Sequence, residues 1–173
     1  MSFTTDEILT IQKRMAGAGN VRPPLDLARV LALLKGNDNL STVLCHPVAF
    51  GRTGEQATKW SVVALLDSGC LCTVEAISQG GEGDSVSGLS ANIRSLSDVT
   101  RLDLLSPPIP ARQPFPAAWA VRWADRQSAT DDLLLSSDDT HGDDGAMGVI
   151  VDKVMQALAL NLPQKRRGKR HEE

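Results

Sequence analysis

The sequence predicts an α+β fold, in which an antiparallel β domain is closed by a C-terminal helix and preceded by a helical pair. Three observations predict it. Apolar residues recur at helical spacing before Gly36, fall into short strand-length runs from Leu40, and return to helical spacing over 146–160. Turn residues separate the strand runs, as at Asp67-Ser68-Gly69, where glycine suits a positive φ. The proline-dense connection Pro107 to Pro116 suits no central strand and forces a break between strands.

The first helix is marked at its start. Thr4 and Glu7 have capping-box spacing, and Phe3 and Ile8 occupy the two positions of a hydrophobic staple. Ile8, Ile11 and Met15 make its apolar stripe, and Gly17 and Gly19 end it. A second helix follows Pro23-Pro24 with Leu27, Val30, Leu31 and Leu34 on one face, and Gly36 stops it.

Strands are expected at 40–49, 60–66, 70–77, 91–94, 99–105, 119–123 and 128–135. The segment from Gly51 to Thr58 is a polar loop, and Gln79 to Ser85 is a glycine-rich one. Trp119, Val121 and Trp123 alternate with Ala120, Arg122 and Ala124, the pattern of a half-buried strand. Ser136 to Gly145 reads as an acidic, solvated loop, with Asp143 and Asp144 placed to favour the positive end of the last helix. In that helix Met147, Ile150, Val151, Val154, Met155 and Leu158 form a broad apolar face. The chain therefore divides into a helical segment 1–36, a β domain with its closing helix over 40–160, and a basic tail 161–173 expected to lack structure.

The bulk properties exclude some function classes. At 173 residues the chain suits one domain with an appendage and needs no metal or disulfide to fold. Aromatic residues make up 3% and tyrosine is absent, which argues against stacking platforms for single-stranded nucleic acid. A net charge of −3 gives no general attraction to DNA or acidic lipid. An odd cysteine count of three, with no basic and apolar leader at the N-terminus, points to free thiols in reducing cytoplasm. No apolar run approaches the ~20 residues a spanning helix needs. The Ala-, Leu-, Arg- and Asp-rich style points to a high-GC bacterium or its phage.

The order of seven short strands and one amphipathic helix resembles the pleckstrin-homology (PH-like) superfold, over about residues 40–160. The segment Ala91 to Leu102 carries most of the likeness, because a short strand runs into Leu96-Ser97-Asp98-Val99 and an apolar strand follows. Trp119 to Trp123 resembles the sixth strand, and 146–160 the closing helix. The resemblance implies one curved seven-stranded sheet plugged by that helix. It also implies binding of phosphoinositides, peptides or proteins, and leaves the ligand to be argued from the site. Lipid-binding members need clustered cations on the first hairpin; this chain offers Arg52 and Lys59 with Glu55 between them, a departure from that pattern.

Candidate chemistry is sparse. Cys45, His46, Cys70 and Cys72 are weak zinc candidates, because thiolate and imidazole suit tetrahedral zinc. Against this, Cys70 and Cys72 point to one face of a strand, where cysteine is an ordinary small core residue. A Cys–His catalytic pair needs an exposed, acidified thiol, which sheet positions do not favour. Asp138 to Gly145 resembles a calcium loop in composition, but counting from Asp139 puts Ile150 where a glutamate is required. Gly80-Gly81-Glu82-Gly83 lacks the lysine and helix of a phosphate cradle. No catalytic or cofactor-binding residue is assigned, and no cofactor is expected.

The expected function is therefore a non-enzymatic protein-interaction module, an adaptor or scaffold within a larger bacterial or phage assembly. Ile8, Ile11, Leu27 and Leu31 are its candidate contact residues, through which residues 3–34 would self-associate or meet a partner. The alternative is an anionic-membrane or nucleic-acid contact by Lys165, Arg166, Arg167, Lys169 and Arg170, and a second alternative is a small metal protein built on Cys45, His46, Cys70 and Cys72.

Overall fold

The computed structural model describes residues 3–19, 21–51, 56–79, 85–106, 118–124, 132–136 and 140–161. Residue 161, expected to open the basic tail, instead ends the last helix; the rest of the tail (162–173), the proline-dense connection, Arg52, Glu55, Gly80 to Gly83, Asp138 and Asp139 lie outside the described residues. Helices α1 (Thr5–Ala16) and α2 (Leu25–Lys35) come first, followed by strands β1 (Leu40–Phe50), β2 (Ala57–Leu66), β3 (Cys70–Gln79) and β4 (Ser87–Ser95). A single 3-10 turn, Leu96–Asp98, leads into β5 (Val99–Ser106), β6 (Ala118–Trp123) and β7 (Leu133–Ser136). The two-residue strand β8 (His141–Gly142) and helix α3 (Ala146–Asn161) complete the order.

The fold class is α+β and antiparallel, as expected, but the strands form two sheets rather than one curved seven-stranded sheet. One has the order β4-β3-β2-β1-β8, and the other β5-β6-β7. The break falls at Ser95. Its hydroxyl accepts a hydrogen bond from the Ser97 amide at 3.1 Å and caps the 3-10 turn, and the Leu96 amide donates to the Gly69 carbonyl at 2.9 Å. With Leu96 buried, the chain turns out of the first sheet and enters the second.

Strands β1 to β3 of the five-stranded sheet are covered on both faces. Val43, Cys45, Val62, Ala64, Cys72 and Val74 project to one side, where they meet Ile11, Met15, Leu27, Ala28 and Leu31 of the N-terminal helices. Leu44, Val63, Leu65 and Leu71 project to the other, against Val99, Val121, Trp123 and Leu135 of the second sheet and Ile150, Val151 and Val154 of α3. Successive strand residues alternate between faces, so the unbroken buried run Val62 to Leu66 marks a strand covered on both sides.

The N-terminal helices belong to this core. Thr4 caps α1 by accepting from the Glu7 amide at 3.2 Å, while the Glu7 carboxylate pairs with Lys35 of α2 at 2.8 Å. Phe3 and Ile8 both pack against the core beneath. The apolar stripes of α1 and α2 thus cover the sheet. Leu27 and Leu31 are fully buried and Ile11 nearly so. These residues and Ile8, expected as a contact surface for a partner, instead pack within the chain, because the helix-side face of β1 to β3 presents apolar residues that need covering.

The acidic loop is also corrected. His141 and Gly142 form β8 and pair with Cys45 and Leu44 of β1. The Asp143 carboxylate is also engaged across the fold. That group takes the Val43 amide at 3.0 Å and the Arg14 guanidinium, whose remaining N–H groups reach the carbonyls of Leu40 at 2.6 Å and Ser41 at 2.9 Å. One buttress therefore joins α1, β1 and β8. Asp143→Ala is expected to cost about 1–3 kcal/mol, since it strands a part-buried cation and an amide. Asp144→Ala, at an exposed neighbour, is expected to change stability by no more than about 0.5 kcal/mol. Urea unfolding of the two variants checks the contrast.

Candidate functional site

Of the sequence-derived metal candidates, the three cysteines share one face of the sheet and His46 lies on the other. Cys45 is fully buried on the helix side, together with Cys72, and Cys70 packs against the same cluster. His46, the next residue in β1, lies opposite Ser61 and so faces the second sheet. Cys45 pairs with Val62, whereas Cys72 pairs with Ala64 on the far side of β2. Two strand spacings, about 10 Å, therefore part the two thiols, a gap no single zinc ion bridges at a Zn–S distance of about 2.3 Å. Among the described residues no group of three or more His, Cys, Asp or Glu is placed to hold a metal ion.

Burial pushes the thiols of Cys45 and Cys72 up to about 12. Both are then poor nucleophiles near neutral pH. Thiol titration of the native chain at pH 8 should find them unreactive until denaturant is added, with Cys70 the one partly accessible thiol. The same shifts set a pH dependence. Between the unfolded value of 9.0 and about 12 the folded chain holds more protons than the unfolded one. Stability should therefore fall as pH rises through that window, and urea midpoints at pH 8 and pH 10 check it.

The accessible chemistry gathers at β4. Six regular pairs, Cys70–Ser95 through Glu75–Ser90, join it to β3. Near its start one extra residue is inserted, and Gly88, at φ +60°, takes the bulged position. The strand is the last of its sheet, and among the described residues nothing pairs with its outer edge. Leu89, Ala91 and Ile93 line its helix-side face and are exposed, Leu89 by 47% and Ile93 by 45%. Ser90, Asn92 and Arg94 line the other face.

That second face opens into a cleft of about 270 Å³ between the two sheets, shared with Thr73, Glu75, Trp123 and Asp132. Trp123 fixes its floor. The indole N–H donates to the Ser95 carbonyl at 3.2 Å, and the Arg94 guanidinium lies 5.1 Å from the ring centre. Glu75 pairs with Lys59 at 3.2 Å. Lys59, the described member of the sparse first-hairpin cations, is therefore engaged with a carboxylate of its own sheet.

The opposite edge of the same sheet is blunted. β8 covers Leu44 and Cys45, and Pro47 follows two residues on, where it offers no amide to an incoming strand. β4 contains neither proline nor lysine. Sequence reading reduced this strand to 91–94, because Ser87-Gly88-Leu89-Ser90 is polar and glycine-bearing. The signal that marks the site is the alternation Leu89, Ala91, Ile93 against Ser90, Asn92, Arg94 in a strand without proline or lysine.

No helix among the described residues is long and apolar enough to cross a membrane. Compared with known proteins, the chain matches no family model, no curated protein and no solved structure.

Proposed function

We propose that the chain is a non-enzymatic protein-interaction module of adaptor type, which receives an extended segment of another polypeptide along β4. One observation carries the reading: the two edges of the five-stranded sheet differ. The β1 edge is covered by β8 at Leu44 and Cys45 and lacks an amide at Pro47, while the nine-residue β4 edge is unpaired among the described residues and flanked by exposed Leu89 and Ile93. Strand addition to such an edge draws affinity from main-chain hydrogen bonds and selectivity from alternate side chains. Here alternate residues of the guest would lie over Leu89 and Ile93 or at the polar mouth of the cleft. The meander of four strands, then three, then a closing helix also supports reading the β part as PH-like.

The test is a displayed library of random peptides selected on the full chain, with each binder re-measured on Ile93→Lys. Binders are expected to alternate apolar and polar residues and to weaken at least tenfold on the variant. Binders that ignore the substitution, or none at all, would remove the reading.

A second reading rests on the basic run. Five cations within Lys165 to Arg170 favour a salt-sensitive contact with anionic lipid or nucleic acid. Deleting 165–173 should abolish such binding and leave β4-dependent peptide binding unchanged.

A further inference from the structure

We infer that one occupant of the β4 edge is a second copy of this chain, with the two β4 strands pairing antiparallel about a two-fold axis through Ala91. The inference rests on the reading of β4 as a strand-accepting edge and names its partner.

The argument is self-complementarity. A two-fold axis normal to the sheet keeps each face on its own side, and residues directly opposite in an antiparallel pair share a face. Only registers that oppose residues of the same face are then allowed. Centred on Ala91, Leu89 meets the copy's Ile93, Ser90 meets its Asn92, and Ala91 meets itself. Arg94, the one charged residue of the strand, meets Gly88, so no like charges oppose each other and the long side chain faces an empty position. The neighbouring registers fail. Centring on Ser90 sets Ile93 against Ser87, and centring on Asn92 sets Leu89 against Ser95. Centring on Ala91 also opposes all nine strand residues, which the other two do not. The bulge falls between Ser87 and Ser90, and the stretch Ser90 to Ser95 is regular, so the central pairs Ser90–Asn92 and Ala91–Ala91 of the seam are undistorted.

The product is a continuous ten-stranded sheet across two chains, in which the exposed Leu89 and Ile93 of each copy cover those of the other. Leu33, exposed on α2 of the helix pair that covers the same face of the sheet, remains outside the seam.

The experiment uses the full chain at several concentrations in light scattering coupled to size exclusion, beside Ile93→Lys. It adds two single-cysteine probes on a Cys70→Ser background, Ala91→Cys and Leu89→Cys. The expected result is a mass that rises from one chain toward two with concentration and stays at one chain in Ile93→Lys. Under mild oxidation Ala91→Cys should form a covalent dimer, and Leu89→Cys, whose own copy lies four residues along the seam, should not. A strict monomer overturns the inference, yet leaves strand addition standing if selected peptides still lose binding on Ile93→Lys. A dimer that Ile93→Lys does not weaken and Ala91→Cys does not trap places the contact elsewhere and also overturns it.

Discussion

Gly142→Ala is expected to be among the most damaging single substitutions in the chain, costing on the order of 3 kcal/mol or more. Two penalties coincide there. Gly142 has φ +120°, where a side chain is strained, and an added Cβ would stand 2.2 Å from the Val43 carbonyl oxygen. Strained backbone costs about 1–3 kcal/mol, and overpacking into fixed atoms costs about 1–3 more. The obstacle is backbone of a buried strand, so it has no rotamer by which to move away. Gly17, at the end of α1, has the reciprocal problem: its Cβ would stand 2.2 Å from the Gly142 carbonyl oxygen. The C-terminus of α1 and β8 thus meet backbone to backbone, beside the Arg14–Asp143 buttress. Gly145→Ala is the control, since Gly145 also has positive φ but nothing within 4 Å of the added carbon. It should lose only about 1 kcal/mol. Urea unfolding of Gly142→Ala beside Gly145→Ala separates the clash from the dihedral strain.

Removal of residues 1–36 should abolish cooperative folding. The helices bury the faces of Val43, Cys45, Trp60, Val62, Ala64, Cys72, Val74 and Ala76. Each large apolar side chain returned to water costs about 1.5–3 kcal/mol. A handful of these losses exceeds the roughly 5–15 kcal/mol that holds a domain of ordinary stability. The bared face would also be a wide apolar patch, prone to aggregation. A chain starting at Asn37 is therefore expected to be insoluble or to melt without a transition by circular dichroism. A truncated chain that melts as cooperatively as the full one would show that the helices are an appendage.

Much of the architecture was legible in the residues. The Thr4 cap, the glycine stops, the hairpin at Asp67-Ser68-Gly69 and the closing helix all depend on local chemistry that short stretches of sequence carry. Three things were not legible, for three physical reasons. An apolar helical stripe states that a face is buried but not against what, so Ile8, Ile11, Leu27 and Leu31 read equally as a partner surface or as core. The division into two sheets depends on long-range hydrogen bonds, such as Leu96 to Gly69, and on capping by Ser95, whose type alone does not announce a sheet boundary. The strand β8 is two residues long within an acidic loop, and it exists because Gly17, Gly142 and Asp143 fit against α1 and β1. The double coverage of β2 did have a signal, the unbroken run Val62 to Leu66, and β4 had its alternation. The four metal candidates looked adjacent in sequence terms, but strand alternation sends Cys45 and His46 to opposite faces.

The most direct test of β4 as the binding edge is amide hydrogen exchange over 87–95, read residue by residue by NMR in dilute full-length protein and again with rising concentration or a selected peptide. Alternate β4 amides should exchange freely in the dilute chain and gain protection as the edge is occupied, while those bonded to β3 stay protected throughout. Protection of every β4 amide at the lowest concentration, or no change on occupation, would mean that the edge is closed within the chain itself or takes no partner, and would contradict the account.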